Sequence, residues 1–519
     1  MKKSFYITTA IDYTSQKPHI GNNYEKVVAD VHARYKRLDG YDVLYQTGTD
    51  EHGQKVQENA KLANVEPKEF VDKISTEMKE LLDLLNVSYD KFVRTIEPVH
   101  HQKVQEIFEY LYQKGDIYLG TYEGWYCTPC ESFFLEKDLK DGNCPDCGRE
   151  VKQGKEESYF FKLSKYEKQL LEYIEANSEF IKPESKKREM INNFIKEGLQ
   201  DLCVSRCTID WGIKVPFDPK HVVYVWIDAL SNYITFIGYD INGNHSEEFK
   251  KYWPADVQII GKDIVRFHVI YWPILLMALD LPLPKTVFGH PWLNINGEKI
   301  SKSRGNVIYA DSLSKHFAID QIRYYLIHEV PFQNDGVMNY ELFIETINND
   351  LINTYGNLLS RSIAMIVKYF EGIVPEPFQK EADQELIDYA NKLKSLTDEL
   401  IDDCHYADSL DNIIELFRRC NKYIDINEPW ILAKDESQKE RLGTVLYNLV
   451  ECLRIGTILL QAYLPETASD VLDKLNIQDK SFESLKKYGS YPVGTKLENI
   501  APLFERINKE EKLKELREL

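Results

Sequence analysis

Strand-like and helix-like segments alternate along residues 1–115 and again along 221–290, and a cysteine- and turn-rich stretch separates the two runs. A chain with that order has few ways to fold. Alternating short apolar strands and amphipathic helices build a doubly wound α/β domain around a parallel sheet. Here the sheet must be split by an insertion at 116–220. Residues 5–11 (FYITTAI) and the segment YDVLYQTGTD supply the first strands, and helices are predicted at about 24–37, 67–86 and 98–114. The insertion carries charged helices around 164–200. Strands resume at 222–227 (VVYVWI) and 257–260 (VQII), a helix follows at about 264–279, and TVFGH at 286–290 is a further strand. Within 291–340, the stretch LNINGEKISKSRGN (293–306) reads as an Asn-Gly hairpin leading into a basic loop. From 341 to 519 the pattern is helical almost throughout.

The length of 519 residues is that of roughly three to four domains. Two lysines near the N-terminus precede only a short apolar run, so no secretory signal is expected. The most apolar stretch, 269–281, is cut by Asp280 and reads as a buried helix rather than a membrane span. A cytoplasmic protein is expected. The net charge of −19 argues against coating nucleic acid by bulk attraction, but it leaves room for a local basic groove.

Four of the nine cysteines are tightly spaced: Cys127-x-x-Cys130 and Cys144-x-x-Cys147, with 13 residues between the pairs. Pro129, Pro145 and Gly148 mark the turns. Two such knuckles match the tetrahedral geometry of zinc held by four thiolates. The alternative is two disulfides or idle thiols, which the missing secretion signal disfavours. With cysteine at all four positions no site is left open for substrate, so the metal is expected to be structural. Cys203 and Cys207 are close together but have nothing to pair with.

The stretch KPHIGNNYEKVVAD (17–30) places His19, Gly21 and Asn22 after a strand and before a helix expected from about Tyr24 to Lys36, with Val27, Val28, Val31 and Tyr35 on one face. Open α/β sheets bind ligands at the carboxyl ends of their strands, and free N–H groups at a helix start favour anions. About 280 residues later, Lys299-Ile300-Ser301-Lys302-Ser303 forms a basic loop with Gly305 close behind. Such a loop can move and can set an ammonium on a phosphate. Each stretch alone has a bland reading, a polar loop or a solvated charge run. Together they point to a triphosphate held from two sides.

Here the chain resembles the class I aminoacyl-tRNA synthetases. His19–Asn22 resembles their HIGH motif, and Lys299–Ser303 their KMSKS motif with Ile300 in place of Met. Within the class it is most similar to the methionyl-tRNA synthetase family, through ITTAIDYTSQKPHIGNNY, YVWIDALSNY (224–233) and GKDIVRFHVIYWP (261–273). The resemblance covers essentially the whole chain. It implies a Rossmann-type catalytic domain (1–115 and 221–290) split by a zinc-knuckle insertion (116–220), a loop and stem-contact region (291–340), and an all-α anticodon-binding bundle (341–519).

The resemblance also implies site residues. His19, Asn22, Lys299 and Lys302 would be catalytic, and together with Gly21 and Ser301 they would bind ATP with Mg²⁺. Ala10, Ile11, Tyr13, Trp226, Ala229, Leu230, Tyr233, Ile264 and His268 would line a pocket for L-methionine, with Asp50 taking its ammonium. Thioethers pack well on aromatic rings. Asn357 and Arg361, with Pro429 and Trp430, would read the anticodon of tRNA(Met), Trp430 by stacking on an unpaired base. The reaction implied is adenylate formation followed by transfer to the terminal ribose. The enzymes for Leu, Ile and Val carry a much larger insertion for editing, because one methylene discriminates weakly; about 100 residues leave no room for one. Asn22 stands where a second His is usual, and Leu230 where Pro is often found. No further tRNA-binding module is seen after the helical part, so a monomer is expected. The rival readings are another class I synthetase or adenylyl transferase, and a catalytically idle zinc-containing RNA-binding protein.

Overall fold

The computed structural model describes residues 2–128, 132–134, 136–145, 148–295 and 307–516. The Asn296-Gly297 turn, the basic loop with Lys299, Ser301 and Lys302, and the cysteines Cys130 and Cys147 lie outside the described residues. The chain forms two compact units. Unit 1 comprises Met1–Pro18, Asp42–Asp83 and Val87–His290; unit 2 comprises His19–Tyr41, Leu84–Asn86 and Pro291–Leu519.

Unit 1 is built on a seven-stranded sheet in which every pairing is parallel. Ser4–Thr9 sits inside it. On one side it pairs with Asp42–Asp50, Tyr6 opposite Leu44, and on the other with Val257–Gly261, Thr8 opposite Gln258. Asp42–Asp50 leads outward to Lys91–Arg94 and to the two-residue strand Asp12–Tyr13, while Val257–Gly261 leads to Thr286–His290 and Ile181–Lys182. The inner strands are apolar on both faces, with Tyr6, Ile7, Ile259 and Ile260 fully buried, as parallel sheets covered by helices require. The chain works outward in opposite directions from the junction of Ser4–Thr9 and Val257–Gly261. That reversal opens the crevice in which such sheets bind ligands, beyond the carboxyl ends of the strands.

The insertion contributes an antiparallel sheet in the order Ser132–Phe134, Ile117–Cys127, Lys152–Phe161, Leu202–Cys203. Its two long strands pair from Ile117 opposite Phe161 to Tyr126 opposite Lys152, which carries Cys127 to the far tip. One expected strand is corrected. The ladder of Asp218–Val223 stops at Val223, and Val225–Thr235 is a helix, so Trp226 and Ile227 are helical. The β-branched and aromatic run VVYVWI hides this boundary, because it suits a strand by propensity alone.

Unit 2 gathers the helices. The helix expected from about Tyr24 begins a turn earlier and runs Ile20–Leu38. It is held by Asp30, whose carboxylate accepts from Arg323 at 2.7 Å, by Tyr35 donating to Asp398 at 2.8 Å, and by the His32–Tyr406 contact at 2.9 Å. The turn and second arm of the hairpin expected at 293–306 lie outside the described residues. Leu293–Ile295 finds its ladder partner in Gly336–Met338, and the pair is parallel. One helix of unit 2, Glu436–Leu460, is long and apolar enough to cross a membrane, and its most apolar window is wholly buried inside the protein. It is the core around which Asn357–Phe370, Gln384–Asp402 and Tyr406–Asn427 pack.

Candidate functional site

At the carboxyl ends of the central strands of unit 1, the backbone sets Tyr13 opposite Asp50. Ser4–Thr9 ends at Thr9, and the Ala10 N–H donates to the Ile259 carbonyl at 3.1 Å, drawing the chain across toward the neighbouring strand. Asp12–Tyr13 then runs beside the end of Asp42–Asp50, with Tyr13 the register partner of Asp50. Thr14 fixes the turn, its N–H and hydroxyl both donating to the Asp50 carbonyl at 2.9 and 3.1 Å. Asp50 is buried.

A second wall comes from the helix Val225–Thr235. Trp226, Ala229, Leu230 and Tyr233 fall at i, i+3, i+4 and i+7 and share one face. Ala229, Leu230 and Tyr233 are buried. Ile11 and Trp226 pack on a small cluster of Tyr126, Tyr224 and Ala229. The Trp226 indole lies flat on Phe267, centroids 3.6 Å apart and planes 10° apart. A third element starts at Ile264 and includes the short π-helical segment Phe267–Tyr271. Within that segment, His268 turns its Nδ1 to the Ile264 carbonyl at 3.0 Å, so Nδ1 carries the proton. Its Nε2 accepts from the Tyr233 hydroxyl at 2.8 Å. The residues expected to hold an amino acid therefore all belong to unit 1, on the elements that end at its crevice.

The phosphate-binding candidates lie in unit 2. His19 is the N-cap of Ile20–Leu38, with extended backbone. Asn22 occupies the third helical position, and its Oδ1 accepts the His19 N–H at 3.1 Å. That bond explains the early helix start. It also leaves the Asn22 amide N–H₂ as the group able to donate outward. The Ile20 N–H donates to the Ile308 carbonyl at 2.9 Å. The chain leaving the basic loop is thus tied to the helix start that carries His19.

The chain matches the family model described as tRNA synthetases class I (M), over residues 5–156 and 150–363. A methionine--tRNA ligase of Clostridium tetani is 55% identical over 519 residues, spanning 100% of this chain and 81% of that protein. One of Caldanaerobacter subterraneus subsp. tengcongensis is 54% identical over 99% of this chain and 81% of its own length. Among solved structures, Mycobacterium tuberculosis methionyl-tRNA synthetase in complex with methionyl-adenylate superposes with a TM-score of 0.93 at 40% identity, covering 97% of this chain and 100% of that one. The chain belongs to the methionine--tRNA ligase family of class I tRNA synthetases.

The other residues expected from the family resemblance fall as follows. Asn357 and Arg361 are exposed on the helix Asn357–Phe370 of unit 2. Just before that helix, Asp350 and the Thr354 carbonyl of the π-helical segment Ile347–Gly356 meet Arg418 at 2.9 Å and Asn421 at 3.1 Å on Tyr406–Asn427. After Tyr406–Asn427 comes the short helix Pro429–Leu432. There Pro429 is buried and Trp430 is 39% exposed. Of the four knuckle cysteines, Cys127 and Cys144 are described, and both are buried with Phe134 and Val151. Gly148 turns with φ +71° and donates to the Cys144 carbonyl at 2.8 Å. Among the described residues no group of three or more metal-ligating side chains occurs.

Sequence reasoning missed Arg206 and Tyr126, which stand behind the pocket. The buried Arg206 guanidinium lies over the Tyr126 ring at 4.3 Å and bonds Glu156 at 3.0 Å. It also missed a histidine cluster next to Asp50. Burial and the neighbouring His52 push the His101 imidazole down to about 4, against the pull of Asp228. The unfolded chain then binds a proton near the ordinary histidine value of about 6.5, while the folded protein does not. Stability should fall as pH drops from about 6.5 to about 4 and lose this dependence below that. Urea midpoints measured across this range, with His101→Gln losing the slope, check the assignment.

Proposed function

We infer that the pocket at the crevice of unit 1 holds L-methionine for the reaction this chain catalyses, the ATP-dependent ligation of methionine to tRNA. The observation that carries the reading is that Tyr13 pairs with Asp50 while Ile11, two residues earlier, packs with Trp226 and Ala229. Asp50 supplies a carboxylate for the ammonium beside Tyr13. Ala10, Ile11, Trp226, Ala229, Leu230 and Ile264 surround an unbranched side chain, and the Tyr233–His268 pair offers polar tips toward sulfur. His19 and Asn22, with the backbone at Gly21, and Lys299, Ser301 and Lys302 of the basic loop, contact the ATP phosphates. Mg²⁺ bound with ATP supplies neutralisation of phosphate charge. The methionine carboxylate attacks the α-phosphorus and pyrophosphate leaves; the terminal ribose hydroxyl of tRNA(Met) then takes the acyl group and AMP leaves. Positioning and charge stabilisation suffice, with no side-chain nucleophile.

Asn357, Arg361, Pro429 and Trp430 read the anticodon. Cys127, Cys130, Cys144 and Cys147 hold one structural zinc: the buried pair Cys127 and Cys144 suits thiolate ligation, and the metal would secure the tip of an insertion with a small apolar core. The domain order is catalytic halves at 1–115 and 221–290, insertion at 116–220, loop region at 291–340 and anticodon domain at 341–519. The protein acts as a cytoplasmic monomer.

Exchange of pyrophosphate into ATP tests the central reading. It should depend on methionine, and exchange driven better by another amino acid would overturn it. For the metal, Cys144→Ser or chelation should release one zinc per chain and expose the insertion to protease before the rest. Freshly purified protein without zinc would rule out the knuckle.

A further inference from the structure

The helix that supplies one wall of the methionine pocket also carries a buried acid with no part in the reaction as described. Asp228 is fully buried and points away from the Trp226–Tyr233 face. Its Oδ2 accepts from His52 Nδ1 at 2.6 Å and its Oδ1 from His100 Nε2 at 2.8 Å. His100 Nδ1 meets the Thr235 hydroxyl at 2.7 Å, and His52 Nε2 stands 3.2 Å from His101 Nε2. His52, His100 and Thr235 are buried as well. Three separate elements thus converge on one carboxylate: the turn after Asp42–Asp50, the helix Pro98–Gln113 and the helix Val225–Thr235. Burial alone would raise the Asp228 pKa, but its electrostatic interaction with His52 and the hydrogen bonds from both imidazoles outweigh it and hold the group well below the usual carboxylate range.

A buried, ionised carboxylate is a poor device for stability, since well-packed apolar side chains serve as well or better. What this one does is geometric. His52 is two residues beyond Asp50, and Asp228 lies between Trp226 and Ala229. We propose that Asp228 is a positioning residue for methionine recognition: by binding His52 and His100 together it fixes the Trp226, Ala229, Leu230 and Tyr233 face relative to Asp50, without touching the amino acid. The inference rests on the methionine site described above. Both carboxylate oxygens are needed for it. An amide in the same place offers one acceptor, and its N–H₂ can bond the second imidazole only if that ring moves its proton to its other nitrogen, which reverses the bond on its far side, to His101 or to Thr235. One of the two ties is weakened, and the wall shifts against the acid.

The test is methionine-dependent pyrophosphate exchange by Asp228→Asn, with Asp50→Asn as a control for the pocket itself. Asp228→Asn should raise the KM for methionine by about tenfold or more, while the KM for ATP and kcat stay within about twofold. His52→Gln removes one donor, should give a smaller rise of the same kind, and serves if Asp228→Asn does not fold. A KM for methionine that stays unchanged in the folded variant overturns the proposal. So does a parallel loss in both KM values and kcat with a lowered melting temperature, since that is the behaviour of a purely structural residue. If Asp50→Asn also leaves the KM for methionine unchanged, the pocket reading falls with it. An effect at Asp50 without one at Asp228 removes only the positioning role.

Discussion

Lys302→Ala should slow methionyl-adenylate formation by roughly 10²–10³-fold, the cost of removing one group that stabilises developing charge in the transition state. Methionine affinity should stay within about twofold. The lysine belongs to the basic stretch Lys299–Ser303, outside the described residues, and the prediction stands on what surrounds that stretch. Strand Leu293–Ile295 leads into it, and Ile308 beyond it accepts the hydrogen bond of Ile20. The chain on the far side of the loop is therefore anchored at the helix start that bears His19 and Asn22. The proposed role of the Lys302 ammonium is contact with phosphate, whereas the residues proposed to hold the amino acid come from other segments. Pre-steady-state measurement of adenylate formation, with methionine binding measured separately, decides the matter. A weakened methionine affinity with an unchanged chemical step would show that the lysine serves substrate binding and that the phosphate assignment is wrong.

Much of this architecture is legible in the sequence because it is local. Short apolar runs and period-3.6 patterns mark the strands and helices around the sheet, and Cys127-x-x-Cys130 and Cys144-x-x-Cys147 mark the insertion. The misreadings have local causes too. VVYVWI favours a strand by composition, yet the strand ends at Val223 and the chain turns into a helix from Val225. The start of Ile20–Leu38 is displaced because Asn22, a weak helix former, gains a specific role as the acceptor for the His19 N–H. What sequence could not supply are pairings between distant residues. His52 and Asp228 are 176 positions apart and His100 and Asp228 are 128 apart, so nothing near any of them signals the cluster. Arg206 has the same difficulty, its partner Glu156 lying on another strand of the insertion. The parallel pairing of Leu293–Ile295 with Gly336–Met338 likewise spans a long connection that an Asn-Gly turn in the sequence obscures.

Trp430→Ala should separate the two halves of the reaction. The residue sits in the short helix Pro429–Leu432 of unit 2, with its neighbour Pro429 buried and its own side chain 39% exposed. Pro429 pins the start of the turn, and Glu428 before it adopts a left-handed conformation, φ 43°, that ends the long helix Tyr406–Asn427. Ile431 beside it is 46% exposed. With 39% of Trp430 exposed on so short a turn, the proposed role of its indole is stacking on a base rather than filling the core. Stacking of a base on an aromatic ring is worth roughly 1–3 kcal/mol, which at about 1.4 kcal/mol per factor of ten is a loss of roughly 5- to 150-fold in tRNA charging efficiency. Methionine activation needs only ATP and the amino acid, so pyrophosphate exchange should be unchanged. Were the side chain a core residue instead, truncation would cost about 3–5 kcal/mol of stability and lower both activities together. The two assays on one preparation, with a melting curve, separate these cases. Intact exchange with impaired charging supports anticodon stacking. A joint loss with a lowered melting temperature would mean that Trp430 holds the bundle together and that the base is read elsewhere, with Asn357 and Arg361 the first residues to examine.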